Sequence, residues 1–431
     1  MSLLTPASGQ RSALQNTGLY LLAGLIALGP LNSKLLGLAW LCFWVFGMYV
    51  AFRARHTSAP ANSIAAVTSS IWFKSCMFAL ILGLISNLIW HEGIDSLNPQ
   101  LRLALAAAAA LCLARHGAIS ADVRSKMLDA VALACAFAFA LTIYLTAQGS
   151  NVDVRASLAT NAIPWAVVIS FYTCLLLPAA LSEAHSIIRR RLWLFCVGCG
   201  IAAILLSQSR GAFLIIPWCC LVYAWFWYRS YGRDGGFHRA LLMLLGAVTV
   251  VLASSWFLPG DILRMHRAVQ DIEEAQTSEN YNTSMGARLY LWGMAVDGIR
   301  ESPWIGIGSV ERMRRIKHAG DGETSEQVAK LQEVRALGHV HNQYLHSALD
   351  GGLIGLAAFL ASLTGMAIAI FYLRRAAPIA AWQMGGVLFM HATSNLSNVN
   401  FAHNYYATGL ALAVILPLLS SAHEATETRK P

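Results

Sequence analysis

Two histidines one residue apart, His339 and His341, lie in the stretch Gly338-His339-Val340-His341-Asn342-Gln343-Tyr344-Leu345-His346, just ahead of a long apolar run. An imidazole at the rim of a membrane span can accept a proton at neutral pH, and His-x-His spacing also suits a metal on an extended segment. No carboxylate or cysteine stands beside the pair, so a proton acceptor or plain interfacial hydrogen bonding fits better than a metal ligand. Arg288 stands near the start of a helix expected over 287–301, where a cation opposes the macrodipole. Cation and helix end together suit an anion such as phosphate, and a solvated surface arginine is the bland alternative. Arg264 and Arg267, on a preceding amphipathic stretch, extend this cluster of positive charge. Arg210 lies in the tight turn Ser207-Gln208-Ser209-Arg210-Gly211, as a second anion-binding candidate or as an arginine snorkelling to headgroups.

Two further groups are less specific. Pro303-Trp304-Ile305-Gly306-Ile307-Gly308 reads as a glycine turn more readily than as a phosphate loop. His391, Asn395, Asn398, Asn400, His403 and Asn404 form a polar patch that either lines a cavity for sugar hydroxyls or packs helix against helix.

These residues need an unusual scaffold. The chain has 431 residues, 57% apolar and only 12% charged, with mean hydropathy +0.54, where soluble proteins carry roughly 25% charged residues. That excludes disorder, a coiled coil, a secreted disulfide scaffold and a soluble enzyme. Apolar runs long enough to cross a bilayer are expected near 17–31, 33–52, 71–91, 99–115, 128–148 and 160–181, then 191–208, 211–229, 240–258, 346–372, 380–397 and 404–421. The expected fold is an all-α polytopic membrane protein of about twelve transmembrane helices. With both termini cytoplasmic, inner loops and tails hold sixteen Lys/Arg, against Lys34, Arg102, Arg155 and Arg210 in the short outer loops. The net charge of +9 is then a topology signal and not a nucleic-acid footprint.

The expected organisation is helices one to nine over 1–258, a large outer loop over 259–345, and helices ten to twelve with a cytoplasmic tail over 346–431. The loop carries ten Lys/Arg and twelve Asp/Glu. It shows apolar stripes at Ile262, Met265, Val269 and Ile272 and at Leu289, Trp292, Val296 and Ile299, so two amphipathic helices on the outer face are expected. The polar, glycine-bearing stretch 318–327 reads as a mobile connection. All nine cysteines lie in apolar runs, and Cys196-x-x-Cys199 has no second pair, so they read as small hydrophobes. The first apolar run lacks a small-residue cleavage site and reads as a signal anchor.

The order of Ser207-Gln208-Ser209-Arg210-Gly211, Arg288 with Trp292, the turn at 303–308, His341-Asn342-Gln343-Tyr344-Leu345 and Asp350-Gly351-Gly352-Leu353-Ile354-Gly355 resembles the O-antigen ligase family, within the bacterial O-antigen ligase and polymerase group. The resemblance covers about residues 190–370 in motif. It implies a GT-C-like, metal-independent, inverting glycosyltransferase of the bacterial inner membrane, needing no cofactor, with its site on a periplasmic loop. The donor it implies is undecaprenyl diphosphate-linked O-antigen, the acceptor lipid A–core, with membrane lipids around the chain. Arg210 and Arg288 match the family's phosphate-handling arginines and His341 its histidine; His339 makes the identity of the base ambiguous. Arg264, Arg267, Asn342, Tyr344 and His403 are the substrate-binding candidates, and Asp350 either orients a histidine or caps a helix.

The chemistry suits this reading. Arginine forks can neutralise a departing diphosphate, and a histidine base contributes roughly 10²–10⁴-fold. The rivals are an O-antigen polymerase, a protein O-oligosaccharyltransferase and, outside enzymes, a secondary transporter. A transporter would favour ionisable groups at mid-membrane and repeated halves, and only Lys74 falls well inside an expected span.

Overall fold

The computed structural model describes residues 18, 20–53, 63–116, 121–149, 153–231 and 265–427. The span expected at 240–258, Ile262, Arg264 and the basic residues Arg11, Arg55, Arg233, Arg239, Arg429 and Lys430 lie outside the described residues. A helical stretch at 20–28 is followed by α1 (Ser33–Arg53), α2 (Ile64–Trp90), α3 (Asn98–Arg115), α4 (Ala121–Ala147), α5 (Ala162–Leu181), α6 (Ile187–Leu206) and α7 (Ile215–Tyr231). The polar segment holds α8 (Met265–Thr277), α9 (Ser284–Glu301), α10 (Gly308–Lys317), α11 (Ser325–Ala329) and α12 (Gln332–Ala336). The chain closes with α13 (Gln343–Ala376), α14 (Pro378–Ser394) and α15 (Asn404–Glu427). Among the described residues there is no strand.

Eight of these helices are long and apolar enough to cross a membrane, the architecture of a multi-pass membrane protein. Of the other expected spans, α6 carries Arg189-Arg190-Arg191 near its start and α14 is 17 residues long, and both pack among the eight. The bundle is built around α5. Every side chain from Pro164 to Ala180 is buried, as expected of a helix apolar on all faces, and α4, α6, α7, α14 and α15 surround it. Leu41, Phe78, Leu88, Phe195 and Phe371 stay exposed on the outer helices, where hydrocarbon is the solvent that suits them. Ser63, Asn161 and Ser186 cap α2, α5 and α6 by accepting from backbone N–H groups, satisfying donors left over at a helix start.

The polar segment folds on a second core of its own. Ala287, Leu291 and Ala295 of α9 pack with Ile307, Ile316, Val334, Val340 and Leu349. The expected amphipathic helices are thus α8 and α9, joined by three short helices whose few apolar residues give a weak periodic signal. The stretch 318–327, expected to be mobile, has fixed partners: Arg335 donates to Ala319 O at 2.7 Å and lies 2.6 Å from Asp321, and Thr324 and Gln327 form a capping box.

Candidate active site

Where the bundle and the second core meet, α13 is broken. Gly352 takes φ 59°, ψ −147° inside it, a conformation open to glycine and costly to other residues. The glycine turn fills the break. Ile307 N donates to Leu349 O at 2.8 Å, and Leu353 N donates to Pro303 O at 2.8 Å. A Cβ on Gly352 would sit 2.3 Å from Trp304 C, and one on Gly306 would sit 2.5 Å from Leu349 O. The turn at 303–308 is therefore a close backbone splice, as a plain turn would be; it gives the Ile307 N–H to α13 and keeps the Gly306 N–H for Ser302 O at 2.9 Å. Trp90 Nε1 donates to Ile305 O at 2.7 Å, fastening the splice to the end of α2.

The half-helix before the break presents the histidines. Asn342 Oδ1 accepts from Tyr344 N and Leu345 N, at 3.0 and 3.1 Å, and so caps α13. Just before it, His341 has φ 53°, and a left-handed conformation costs a non-glycine residue roughly 1 kcal/mol or more. Val340 holds the strained loop in place, fully buried in the second core, while Trp292 Nε1 donates to its carbonyl at 3.0 Å. The rings of His339 and His341 meet edge to face at 4.3 Å. Burial, then the charges of His339 and Arg288, pulls the His341 imidazolium pKa down to about 3, with Asn398 as a hydrogen-bond partner acting the other way. Burial, then His346, His403 and Arg312, lowers His339 to about 4. Both rings are neutral at pH 7, and the Nδ1 of each is buried without a partner.

Three arginines converge beside this loop. Arg288, on α9, is half-buried; burial, then the charges of Arg210 and Arg155, lowers its pKa to about 10. Arg210 forms a 3₁₀ turn after α6, following Gln208 at φ 52°. Arg155 Nη1 donates to Gln208 O at 3.0 Å, tying the loop before α5 to the same turn. The charges acting on Arg288 are both cationic, and each lowers its pKa as a like charge does.

The structure thus brings Arg210, Arg288, His339, His341 and His403 together, and it alters several expectations. Helix α9 starts at Ser284, capped by Thr283 Oγ1 accepting from Gly286 N at 3.1 Å. Arg288 is therefore in the second turn, beyond the strongest reach of the macrodipole, so the helix end gives no argument for an anion there, and the positive charge around it is that of Arg210 and Arg155. Asp350 neither caps α13, which Asn342 does, nor touches His339 or His341. Its Oδ1 lies 2.7 Å from Arg312 Nε, and its Oδ2 is 3.5 Å from His346 Nε2. Tyr344 spends its hydroxyl on Ala392 O at 3.0 Å. Arg267 is exposed on α8.

The polar patch divides. His391 is buried, with Nδ1 2.7 Å from the Tyr406 hydroxyl and Asn395 beside it, so this part packs helices together. Asn398 and His403 face the histidine loop. Sequence reasoning missed Arg155 and Arg312 as site residues. For Arg155 the signal was present, as one of four cations in short outer loops, whereas nothing local set Arg312 apart from its neighbours Arg314 and Arg315.

Among the described residues, no three His, Cys, Asp or Glu side chains converge to hold a metal ion. Residues 195–360 match the family model described as O-antigen ligase. An uncharacterized protein of Haemophilus influenzae is 30% identical over 161 residues, which is 36% of this chain and 37% of that protein. The chain thus spans little more than a third of that relative's length. The matched region runs from α6 through the arginine turn, α9, the glycine splice and the histidine loop into α13, so Arg210, Arg288, His339 and His341 lie within the stretch that is similar to the O-antigen ligase family, whereas Arg155 and His403 lie outside it.

Proposed function

We propose that this protein is an O-antigen ligase, transferring a glycan from undecaprenyl diphosphate to a sugar of lipid A–core with inversion, on the periplasmic side of the bacterial inner membrane. The observation that carries the reading is the convergence of Arg155, Arg210 and Arg288 beside a neutral His341. An acceptor hydroxyl attacks the anomeric carbon as the carbon–oxygen bond to the diphosphate breaks. Undecaprenyl diphosphate leaves, and the hydroxyl proton passes to an imidazole nitrogen. The guanidinium groups neutralise the charge that collects on the departing oxygen, so the step proceeds without a metal. Diphosphate also offsets the positive field that depresses His341, which makes the base stronger once donor is bound.

The test is transfer by the purified protein in nanodiscs, with undecaprenyl diphosphate-linked glycan offered lipid A–core, a second lipid-linked glycan, or pilin. Product on lipid A–core is expected. Product on lipid-linked glycan alone would make the protein a polymerase, and product on pilin alone a protein oligosaccharyltransferase.

A further inference from the structure

A cavity of about 640 Å³ opens between the end of α2, the start of α3, α13 on both sides of its break, and the start of α15. Arg155, Arg210 and Arg288 take no part in its wall, whereas His346 does, and His346 is a near neighbour of His339. The cavity thus lies next to the histidine loop, through His346, with a wall separate from the three arginines. Its wall is rich in amide, hydroxyl and carboxylate groups, with Asn87, Glu92, Asp95 and Gln100 on one side and Ser347 and Asp350 on the other. Phe359 and Phe401, with ring centroids 5.7 Å apart, supply apolar surface.

Two buried polar atoms in this wall, Gln100 Oε1 and His346 Nδ1, have no hydrogen-bond partner in the protein. Buried polar atoms cost free energy unless something satisfies them, and a polyhydroxylated ligand supplies both donors and acceptors. The charge of the cavity is also one-sided. Its cation, Arg312, is taken by Asp350 at 2.7 Å, which leaves Glu92 and Asp95 to set the sign.

We propose that this cavity seats the acceptor saccharide, and that the sugar it takes is uncharged or amine-bearing and not phosphorylated. The proposal rests on the transfer reading above and adds the site and class of the acceptor. Donor and acceptor then approach the histidine loop from two sides. The anion meets the arginines, and the sugar meets amides and carboxylates that would repel a second phosphate.

Binding measured without donor separates this proposal from the transfer reading. Nanodisc-embedded protein is titrated by native mass spectrometry with three rough lipopolysaccharides, whose cores end in a hexose, a glucosamine or a phosphorylated heptose. The first two should bind, and the third should bind roughly tenfold more weakly. Gln100→Leu should weaken the first two roughly three- to tenfold, the loss of one hydrogen bond. Asp95→Lys, at an exposed position, should strengthen the third by roughly tenfold, and it decides the matter alone if Gln100→Leu does not fold. Parent protein binding the phosphorylated core as tightly as the others, or either variant binding as the parent does, overturns the proposal while the transfer reading stands. Binding as expected with no transfer to any acceptor does the reverse.

Discussion

Arg312 of α10 and Asp350 of α13 form an ion pair of 2.7 Å two residues before the break in α13, and the same guanidinium donates to the carbonyl of Gly338 beside the histidine loop. One side chain therefore joins three parts of the site: a short helix of the second core, the broken helix, and the segment carrying His339 and His341. Arg312 is nearly inaccessible, at 7% exposure, so little water stands ready to replace either partner. The pair gives the second core a fixed position on the bundle.

Removing one partner should therefore hurt more than removing both. Arg312→Ala should lower stability by roughly 3 kcal/mol, because it leaves a half-buried carboxylate unpaired. Arg312→Leu combined with Asp350→Leu should recover most of that loss. Thermal melts in nanodiscs check this, and a double variant no more stable than Arg312→Ala would contradict the assignment.

Gly352→Ala should be among the most damaging changes to a single small residue. The new methyl would meet Trp304 backbone at 2.3 Å, at a φ of 59° and ψ of −147°, and both clash and strain resist relief. We expect a loss of more than about 3 kcal/mol and protease sensitivity in the turn at 303–308. Parent-like protection of that turn would show that the splice can relax.

The arginine cluster should be stabilised by its ligand in the absence of any transfer. Inorganic diphosphate should raise the melting temperature of the parent, since a ligand that binds only the folded state stabilises it. Arg288→Ala should abolish most of this gain. Arg288→Lys keeps the charge but not the planar fork, so transfer should stay at least about tenfold down with normal membrane insertion. Arg288→Lys transferring at the parent rate would remove the bidentate role.

Stability should fall on acidification. His339 and His341 have folded pKa values of about 4 and about 3, below the ordinary 6.5. Their contribution is complete above pH 6.5 and is lost as pH falls from there through the folded values, because the unfolded chain takes up protons that the folded chain refuses. Each site can contribute at most about 1.4 kcal/mol per pH unit. Melting temperatures at pH 7.5 and 5.0 should differ for the parent and differ less for His339→Asn with His341→Asn. A parent melt that does not change over this range would contradict the buried, neutral rings.

The sequence by itself determined the class of scaffold and most of its parts. Runs such as 33–52 and 160–181 become helices because backbone polar groups in hydrocarbon must be satisfied within the segment, and composition reports that directly. Arg210 was singled out as a cation in a short outer loop, and Arg288 from a first-turn position that the structure moves to the second turn. What the tertiary structure decided is mutual placement. That Arg155 joins Arg210 and Arg288 follows from the hydrogen bond between Arg155 and Gln208, two residues 53 apart in the chain. The glycines of 303–308 and the break at Gly352 each look like an ordinary turn or helix flaw in one dimension. Their shared purpose is visible only when Ile307 N meets Leu349 O and Leu353 N meets Pro303 O. Asp350 likewise read as a cap or a histidine partner, because a carboxylate's role depends on which cation folding brings to it. That cation was Arg312, 38 residues away, and no local pattern encodes a contact that the packing of two cores creates.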